Sequence, residues 1–358
     1  MAILRCAGAS FSPSVSSGLD WLGRDTRAPL RRRGSWRLDI FMTRGVILYT
    51  IPWLLLAGVC ISVTAGECGA SPAPPLRFVT FNLFHGGPLS GLTGNARHLD
   101  LRLEMAAEAL RALHADIIGL QEASWSRQRG EVAARLAAEL GFHHVYAPAS
   151  SRFVGNRGID RTIAFLLNFT EGPAIISRFP VRDWHVDDLP RCGKLLDSRV
   201  LLSATLQTPW GPLQVFSTHT RGDPCQTRRV AELVRGRRGA SPSVLMGDFN
   251  AVAESPAISA LTNGAGFVDA FRSANPTLPG LTVWQQVDAS APTVTRRGDY
   301  LFVIPGVVVP GRVLSSRVVL NAPRRLPDGT TLWPSDHYGV LAELEALSRG
   351  PDELADSR

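Results

Sequence analysis

The sequence predicts a mixed α/β domain whose loops converge on one edge. Three observations carry that expectation. Between Leu76 and Leu347, short apolar runs of strand length alternate with segments of helical spacing. Polar side chains of a few reactive types stand where one apolar run after another ends. Beyond Pro75 there is no repeat, no second composition regime and no long linker. Apolar residues make up 45% of the 358-residue chain, enough for a sizeable core.

Residues 77–84 (RFVTFNLF) read as a strand. Residues 99–114 have helical spacing, with Leu103, Ala106, Ala107, Leu110 and Leu113 on one side. Residues 116–120 form a buried strand that ends in Gln121-Glu122, and 129–140 a second helix. Val145, 162–169 and 174–176 read as strands, with a loop at 155–158. Residues 199–206 and 213–220 are joined by Thr208-Pro209-Trp210-Gly211, a turn signal that predicts a hairpin. A third helix spans 224–238.

The most informative stretch follows. Val244-Leu245-Met246 reads as a strand buried on both faces, and it runs into Gly247-Asp248-Phe249-Asn250. Residues two apart on an extended chain point to the same side. Asp248 and Asn250 therefore stand together at the strand's C-terminal edge, with Phe249 turned into the core. Residues 255–261 form a short helix, 267–284 read as irregular, and 299–304, 313–320 and 338–344 are the last strands. Residues 350–358 form a loose tail.

The formal net charge of +7 is unevenly placed. Residues 1–41 hold seven arginines against three aspartates, a net +4, and Arg44 adds one, which leaves about +2 for the rest. The basic character belongs to the leader and does not argue for nucleic-acid binding by the folded part. Residues 45–64 are the one long apolar stretch. Arg44 precedes it and Val63-Thr64-Ala65 supply small residues at its exit, the form of an export signal. Met42 reads as the true start, which makes 1–41 an upstream, disordered extension and 42–65 a signal peptide. The alternative is an uncleaved membrane anchor, against which Pro52 and the glycines tell. Residues 66–75 form a tether, 76–347 the domain and 348–358 the tail. The expected location is periplasmic or extracellular.

Export permits disulfides. Cys192 lies just before the predicted hairpin and Cys225 just after it, at the same end, so a Cys192–Cys225 bridge is geometrically reasonable. Cys68 is left free in the tether, and neither Cys60 nor Cys68 has the small-residue run that precedes a lipid-modified cysteine.

Six polar signals follow apolar runs: Asn82, Glu122, His219, the Asp248/Asn250 pair, Asp299, and Asp336-His337. Each alone has an ordinary explanation, such as a turn cap, a solvated strand end, a satisfied core histidine or an Asx turn. Together they hold two histidines, four carboxylates and two amides, the inventory for metal-assisted attack of water on phosphorus. No Gly-x-Ser-x-Gly elbow, Walker loop or paired CxxC is present.

The ordered set TFNL (80–83), LQEA (120–123), EGPAIISRFP (171–180), STHT (217–220), GDFNA (247–251), RRGDYLF (296–302) and SDHYGV (335–340) resembles the endonuclease/exonuclease/phosphatase superfamily. That superfamily holds DNase I-like nucleases, abasic-site endonucleases, inositol-polyphosphate phosphatases and neutral sphingomyelinases. The resemblance spans about 77–347. It implies a four-layer sandwich of two packed mixed β-sheets flanked by helices, and divalent-metal-dependent phosphoester hydrolysis with Mg²⁺, or Mn²⁺ as the alternative. By position, Glu122 resembles the metal-holding glutamate with Asn82 beside it, and Asp336 a carboxylate at the metal side. His337 resembles the base near the attacking water, oriented by Asp299. His219 resembles a second histidine on the phosphate, Asp248 the residue that positions the nucleophile or aids the leaving group, and Asn250 a phosphate-oxygen ligand. The chain departs from the pattern at Gly298, where an apolar residue is usual, and at Pro173, where asparagine is frequent. Asp160 and Glu171 are the candidates for the carboxylate beside His219.

The expected substrate is a phosphodiester, with a phosphomonoester as the alternative, and no protein partner is implied. A nearly neutral domain favours a small or lipid-derived substrate over duplex DNA, although Arg152, Arg157 and Arg161 in one loop could supply a local basic patch. For a lipid, the partner is a membrane surface, with 281–284 and Leu332-Trp333 as short contacts. The reading from another class is a non-catalytic binding protein of the same fold.

Overall fold

The first strand, Leu76–Asn82 (β1), shows how the layers form. Leu76 and Phe78 point into one apolar cluster while Val79 and Phe81 point into another, as the two-residue period of a strand requires. The computed structural model describes residues 73–86, 97–149, 157–193, 198–307 and 310–347. The leader and signal read at 1–65, Cys68 and most of the tether, Arg152 and the tail at 348–358 lie outside the described residues. Among the described residues no helix is long and apolar enough to cross a membrane.

The chain continues through α1 (Leu99–Ala112), β2 (Ile117–Ser126), β3 (Gly130–Glu131), α2 (Val132–Leu140), β4 (His143–Tyr146), α3 (Arg157–Leu167), β5 (Thr170–Ser177) and β6 (Val181–Asp188). Then come β7 (Val200–Thr208), β8 (Gly211–His219), α4 (Pro224–Arg237), β9 (Ser243–Asp248), α5 (Pro256–Leu261), β10 (Val268–Asp269) and α6 (Ala270–Ala274). The last elements are β11 (Asp299–Ile304), β12 (Gly311–Val319), β13 (Arg324–Arg325), β14 (Thr331–Leu332) and β15 (Gly339–Ala346).

Two sheets result. One has the order β12-β15-β1-β2-β5-β4, with β3 paired to β2. The other has the order β10-β11-β9-β8-β7-β6. Both are mixed: β1 and β2 are parallel, as are β8 and β9, and the other neighbours are antiparallel. Phe78, Ile117, Ile175, Leu202, Val215, Met246, Leu301 and Ala342 fill the space between the sheets. Leu103 and Leu110 of α1 and Leu136 of α2 pack on the outer face of the first sheet. Val230 and Val234 of α4 and Ile258 and Leu261 of α5 pack on the outer face of the second. The four-layer α/β sandwich expected from the resemblance is the fold observed. At Gly119 the sheets approach so closely that a Cβ would lie 2.6 Å from that of Met246, so only glycine fits.

Three expectations fail. Residues 162–167 of the stretch at 162–169, read as a strand, belong to helix α3. Its run is apolar on nearly every residue, a pattern a buried strand and a helix share. Within the helix the described positions that bury are Asp160 and Ala164, four apart, and Asn168 and Phe169 bury just past its end. Of the loop predicted at 155–158, residues 157–158 belong to this helix and 155–156 lie outside the described residues, and Arg157 and Arg161 are helical rather than on a loop. Strand β6 carries no apolar alternation because it is the second sheet's edge and needs only β7 as partner. The stretch at 267–284 is not irregular throughout, since it holds β10 and α6, the latter capped by Asp269, whose carboxylate accepts from Arg272 N at 3.1 Å.

Cys192 and Cys225 are joined by a disulfide with Cα atoms 6.1 Å apart. It ties the loop before β7 to the first turn of α4. Asp223 caps that turn by accepting from Cys225 N at 2.8 Å, and Pro224 opens the helix.

Candidate active site

The two parallel pairs set the site. Helix α1 links β1 to β2 and helix α4 links β8 to β9, so both partners of each pair end at the same edge. Asn82 is level with Gln121, and His219 with Asp248. Strand β11 is antiparallel to β9 and therefore begins at this edge, which puts Asp299 opposite Asp248. Strand β15 is antiparallel to β1 and begins there too, just after Asp336-His337. Ligands of open α/β sheets gather at such strand ends.

All eight residues singled out from the sequence meet here. Asn82 Nδ2 donates to Glu122 Oε1 at 3.2 Å and to Asp248 Oδ2 at 3.1 Å, bridging the two sheets. His337 Nδ1 faces Asp299 Oδ2 at 3.0 Å, which leaves its Nε2 3.8 Å from Asp248 Oδ2 and 3.9 Å from Asp336 Oδ1. The Asn250 amide lies 2.9 Å from His219 Nε2, and Asn250 N donates to Asp248 Oδ1 at 2.9 Å. The carboxylate beside His219 is Asp248, at 3.3 Å, and neither Asp160 nor Glu171. Phe249 is fully buried in the core against Tyr300 and Phe302, which anchors the two residues on either side of it. Glu122 (φ 51°) and Asn250 (φ 50°) both hold the left-handed backbone region that costs a non-glycine residue, as happens at functional sites. Asp248, Asp299 and Asn82 are buried, while the side chains of Glu122 and Asp336 stay 18% and 23% exposed. Those two mark the open side.

Burial and neighbouring charge set the protonation states. Burial pushes Asp248 up to about 7, and the adjacent Asp299 adds to this while His337 opposes it. Burial also raises Asp336 to about 6, with Glu122 contributing. Burial works against charge on His337, but Asp299 and Asp248 together outweigh it and raise the imidazole to about 10. His219 is pushed well below its ordinary value by burial and then by Arg199, so it is a neutral imidazole.

The donor set suits a hard divalent cation. Four carboxylates converge, Asp299 Oδ1 is buried without a hydrogen-bond partner, and ligand atoms of Asp248, Asp299 and His337 all lie within 4.8 Å of one another. Glu122 and Asp336 on the open side, with Asn82 bonded to Glu122, are the side chains that would hold it. A bound dication would polarise a phosphoryl oxygen and lower the proton affinity of its neighbours. Around it, Asp299 holds Nδ1 of His337, which leaves Nε2 as the ring nitrogen open to proton exchange, and neutral His219 lies against the Asn250 amide.

Three features were not read from the sequence. Arg102, on the buried face of α1, donates to the carbonyls of Leu83 (2.8 Å), Phe84 (2.6 Å), Arg97 (2.9 Å) and Pro334 (3.1 Å). It thus clamps the segment after Asn82 to the one before Asp336. An arginine within an apolar stripe was the available signal. His85 packs between Glu122 and Glu171. Thr282 Oγ1 accepts from the backbone N–H of Asp299 at 3.2 Å. Trp284, in the 281–284 stretch expected as a short contact, is exposed beside the site, since Val283 bridges to His337, and Arg296 lies over its ring at 4.4 Å. Trp333 is buried, with its indole N–H donating to Ala289 O at 2.7 Å, so Leu332-Trp333 is not a surface contact.

The departures have local causes. A Cβ at Gly298 would sit 3.2 Å from Val283, whose side chain takes the space an apolar residue would fill. Pro173 is buried in β5, and its carbonyl accepts from Ala147 N at 3.0 Å.

This fold and site define a class, the metal-dependent phosphoesterases built on a two-sheet sandwich. The model of the endonuclease/exonuclease/phosphatase family matches residues 79–337, and the chain belongs to that family. In fold it is similar to an endonuclease/exonuclease/phosphatase from Beutenbergia cavernae (24% identity, 78% of this chain and 76% of that one, TM-score 0.54). It is also similar to a Bacteroides thetaiotaomicron mannosyl-6-phosphatase (18%, 75% and 99%, TM-score 0.56). The third is the human Nocturnin catalytic domain with bound sulfate (18%, 77% and 95%, TM-score 0.54). No curated protein matches the sequence.

Proposed function

We propose that the protein is an exported, Mg²⁺-dependent phosphodiesterase, with Mn²⁺ as the alternative cation, acting on a small or lipid-derived phosphodiester. The observation that carries this is the buried Asp299–His337 pair, whose free ring nitrogen faces Asp248 across from the Glu122–Asn82 bond. His337 is the base, Asp299 its orienter, Asp248 the group that positions water or assists the leaving oxygen, and Asn250 and His219 the phosphate ligands. Glu122, Asn82 and Asp336 hold the cation. The near-neutral charge beyond the leader argues against a polyanion track. Exposed Trp284 with Arg296 offers an aromatic and cationic lip suited to a compact substrate. The Cys192–Cys225 disulfide supports an oxidising compartment, in keeping with export through residues 42–65 as a cleaved signal or an anchor.

The purified protein should hydrolyse bis-p-nitrophenyl phosphate with Mg²⁺ and stop on addition of EDTA. Absence of metal-dependent turnover on this and on a broad phosphoester panel would favour the binding-protein reading. Plasmid DNA, single-stranded RNA, sphingomyelin liposomes and inositol phosphates compared at two salt concentrations separate the substrates. Efficient, strongly salt-sensitive DNA cleavage alone would make it an extracellular nuclease instead.

A further inference from the structure

Glu122 uses its two oxygens in different directions. Oε1 accepts from Asn82 on the side of the phosphoester centre, while Oε2 lies 3.2 Å from Nε2 of His85. The left-handed conformation of Glu122 and the irregular pairing of β2 with β5 between Leu120 and Ala123 turn the side chain this way. Beyond the irregularity, β5 places Glu171 opposite Ser124, and Glu171 Oε2 comes within 2.5 Å of the same His85 nitrogen. His85 is nearly buried, and its ring is fixed edge-on against Phe169 with centroids 4.8 Å apart. One ring nitrogen thus faces two carboxylate oxygens from different strands, and an N–H can point squarely at only one of them.

We propose that His85, Glu122 and Glu171 form a second divalent-cation site, distinct from the phosphoester centre and sharing Glu122 with it. The inference rests on Glu122 being a cation ligand of that centre. An imidazole nitrogen beside two carboxylates favours a borderline transition ion such as Zn²⁺ over Mg²⁺, which takes oxygen donors and keeps its water. A carboxylate with one oxygen turned to each side is the arrangement that couples paired metals. The rival is a plain ion-pair latch, with protonated His85 held between the two glutamates.

Equilibrium dialysis of the full chain against Zn²⁺ in excess Mg²⁺, with Co²⁺ spectra as a second readout, separates them. The wild type should retain Zn²⁺, and with Co²⁺ should show a paramagnetically shifted imidazole resonance that is missing in His85→Ala. Both His85→Ala and the near-isosteric Glu171→Gln should weaken Zn²⁺ binding by more than about 10-fold. Circular dichroism checks that the variants are folded, and Glu171→Gln keeps the test valid should His85→Ala unfold. Unchanged Zn²⁺ affinity in Glu171→Gln, or no Zn²⁺ retained by the wild type in excess Mg²⁺, would overturn the site. The binding readout does not depend on turnover, so failure to hydrolyse any phosphoester tells against the enzymatic reading and not against this one.

Discussion

At the scale of single residues, the site separates groups that act on protons from groups that hold position. His337 belongs to the first kind. In the cation-free protein its imidazole is raised to about 10 by Asp299 and Asp248 against the opposing effect of burial, so it carries a proton at neutral pH. To serve as the proposed base it would need nearby positive charge to displace that proton. His337→Ala should lower kcat by about 10²–10⁴-fold while leaving the fold and the cation affinity in place. Wild-type turnover in that variant would refute the assignment. Arg102 belongs to the second kind. Its guanidinium, nearly fully buried and lowered to about 10 by that burial, donates to four backbone carbonyls around the site. Arg102→Leu leaves carbonyls buried without their donor, and should cost about 3 kcal/mol or more in chemical denaturation. Because the clamp spans the segments carrying Asn82 and Asp336, the surviving folded fraction should also bind the cation more weakly. A variant as stable and as cation-avid as the wild type would remove Arg102 from this role.

At the scale of elements, the disulfide stands where a crossover leaves the site. Helix α4 starts five residues after His219, and Cys225 sits in its first turn. The bond closes a loop of sequence separation 33, which on chain-entropy grounds stabilises the fold by up to about 4 kcal/mol. Cys225→Ser should therefore lower the unfolding free energy by roughly 2–4 kcal/mol, with turnover less affected than stability. No change in denaturation midpoint would mean that the bond does not constrain the unfolded chain. The same elements show what a sequence discloses. Strands β1, β2, β8, β9, β11 and β15 were legible because each is largely buried on both faces and begins or ends beside a polar residue with chemistry of its own. Helix α3 was not, since the positions it buries are Asp160 and Ala164 while Ile159, Phe165 and Leu166 face outward. Strand β6 was not, because an edge strand need not alternate. His85 was missed for a different reason. Its partner Glu171 lies 86 residues further on, and only the irregular pairing of β2 with β5 brings the two together.

At the scale of the whole molecule, an acidic site set at the junction of two sheets burdens the fold that carries it. Burial raises Asp336 from 3.8 to about 6 and Asp248 to about 7, so in the absence of a cation each is harder to ionise folded than unfolded. For a carboxylate shifted in this direction the unfolded state loses its proton first. The folded state therefore loses stability as pH rises from about 3.8, and the loss is complete above the folded value. Asp336→Asn removes that burden without changing the side chain's shape. In EDTA the variant should match the wild type near pH 3.5 and exceed it by about 1–3 kcal/mol at pH 7, the ceiling set by roughly two pKa units. Mg²⁺ should reverse the order. It binds the folded wild type and raises its Tm by mass action, whereas the variant lacks one of the oxygens placed to hold the ion and should gain less. Thermal denaturation at pH 3.5 and pH 7, with EDTA and with Mg²⁺, checks both halves. A variant less stable than the wild type at pH 7 in EDTA would mean that Asp336 is held by contacts its charge requires, and an equal Mg²⁺ response in the two proteins would take Asp336 off the cation.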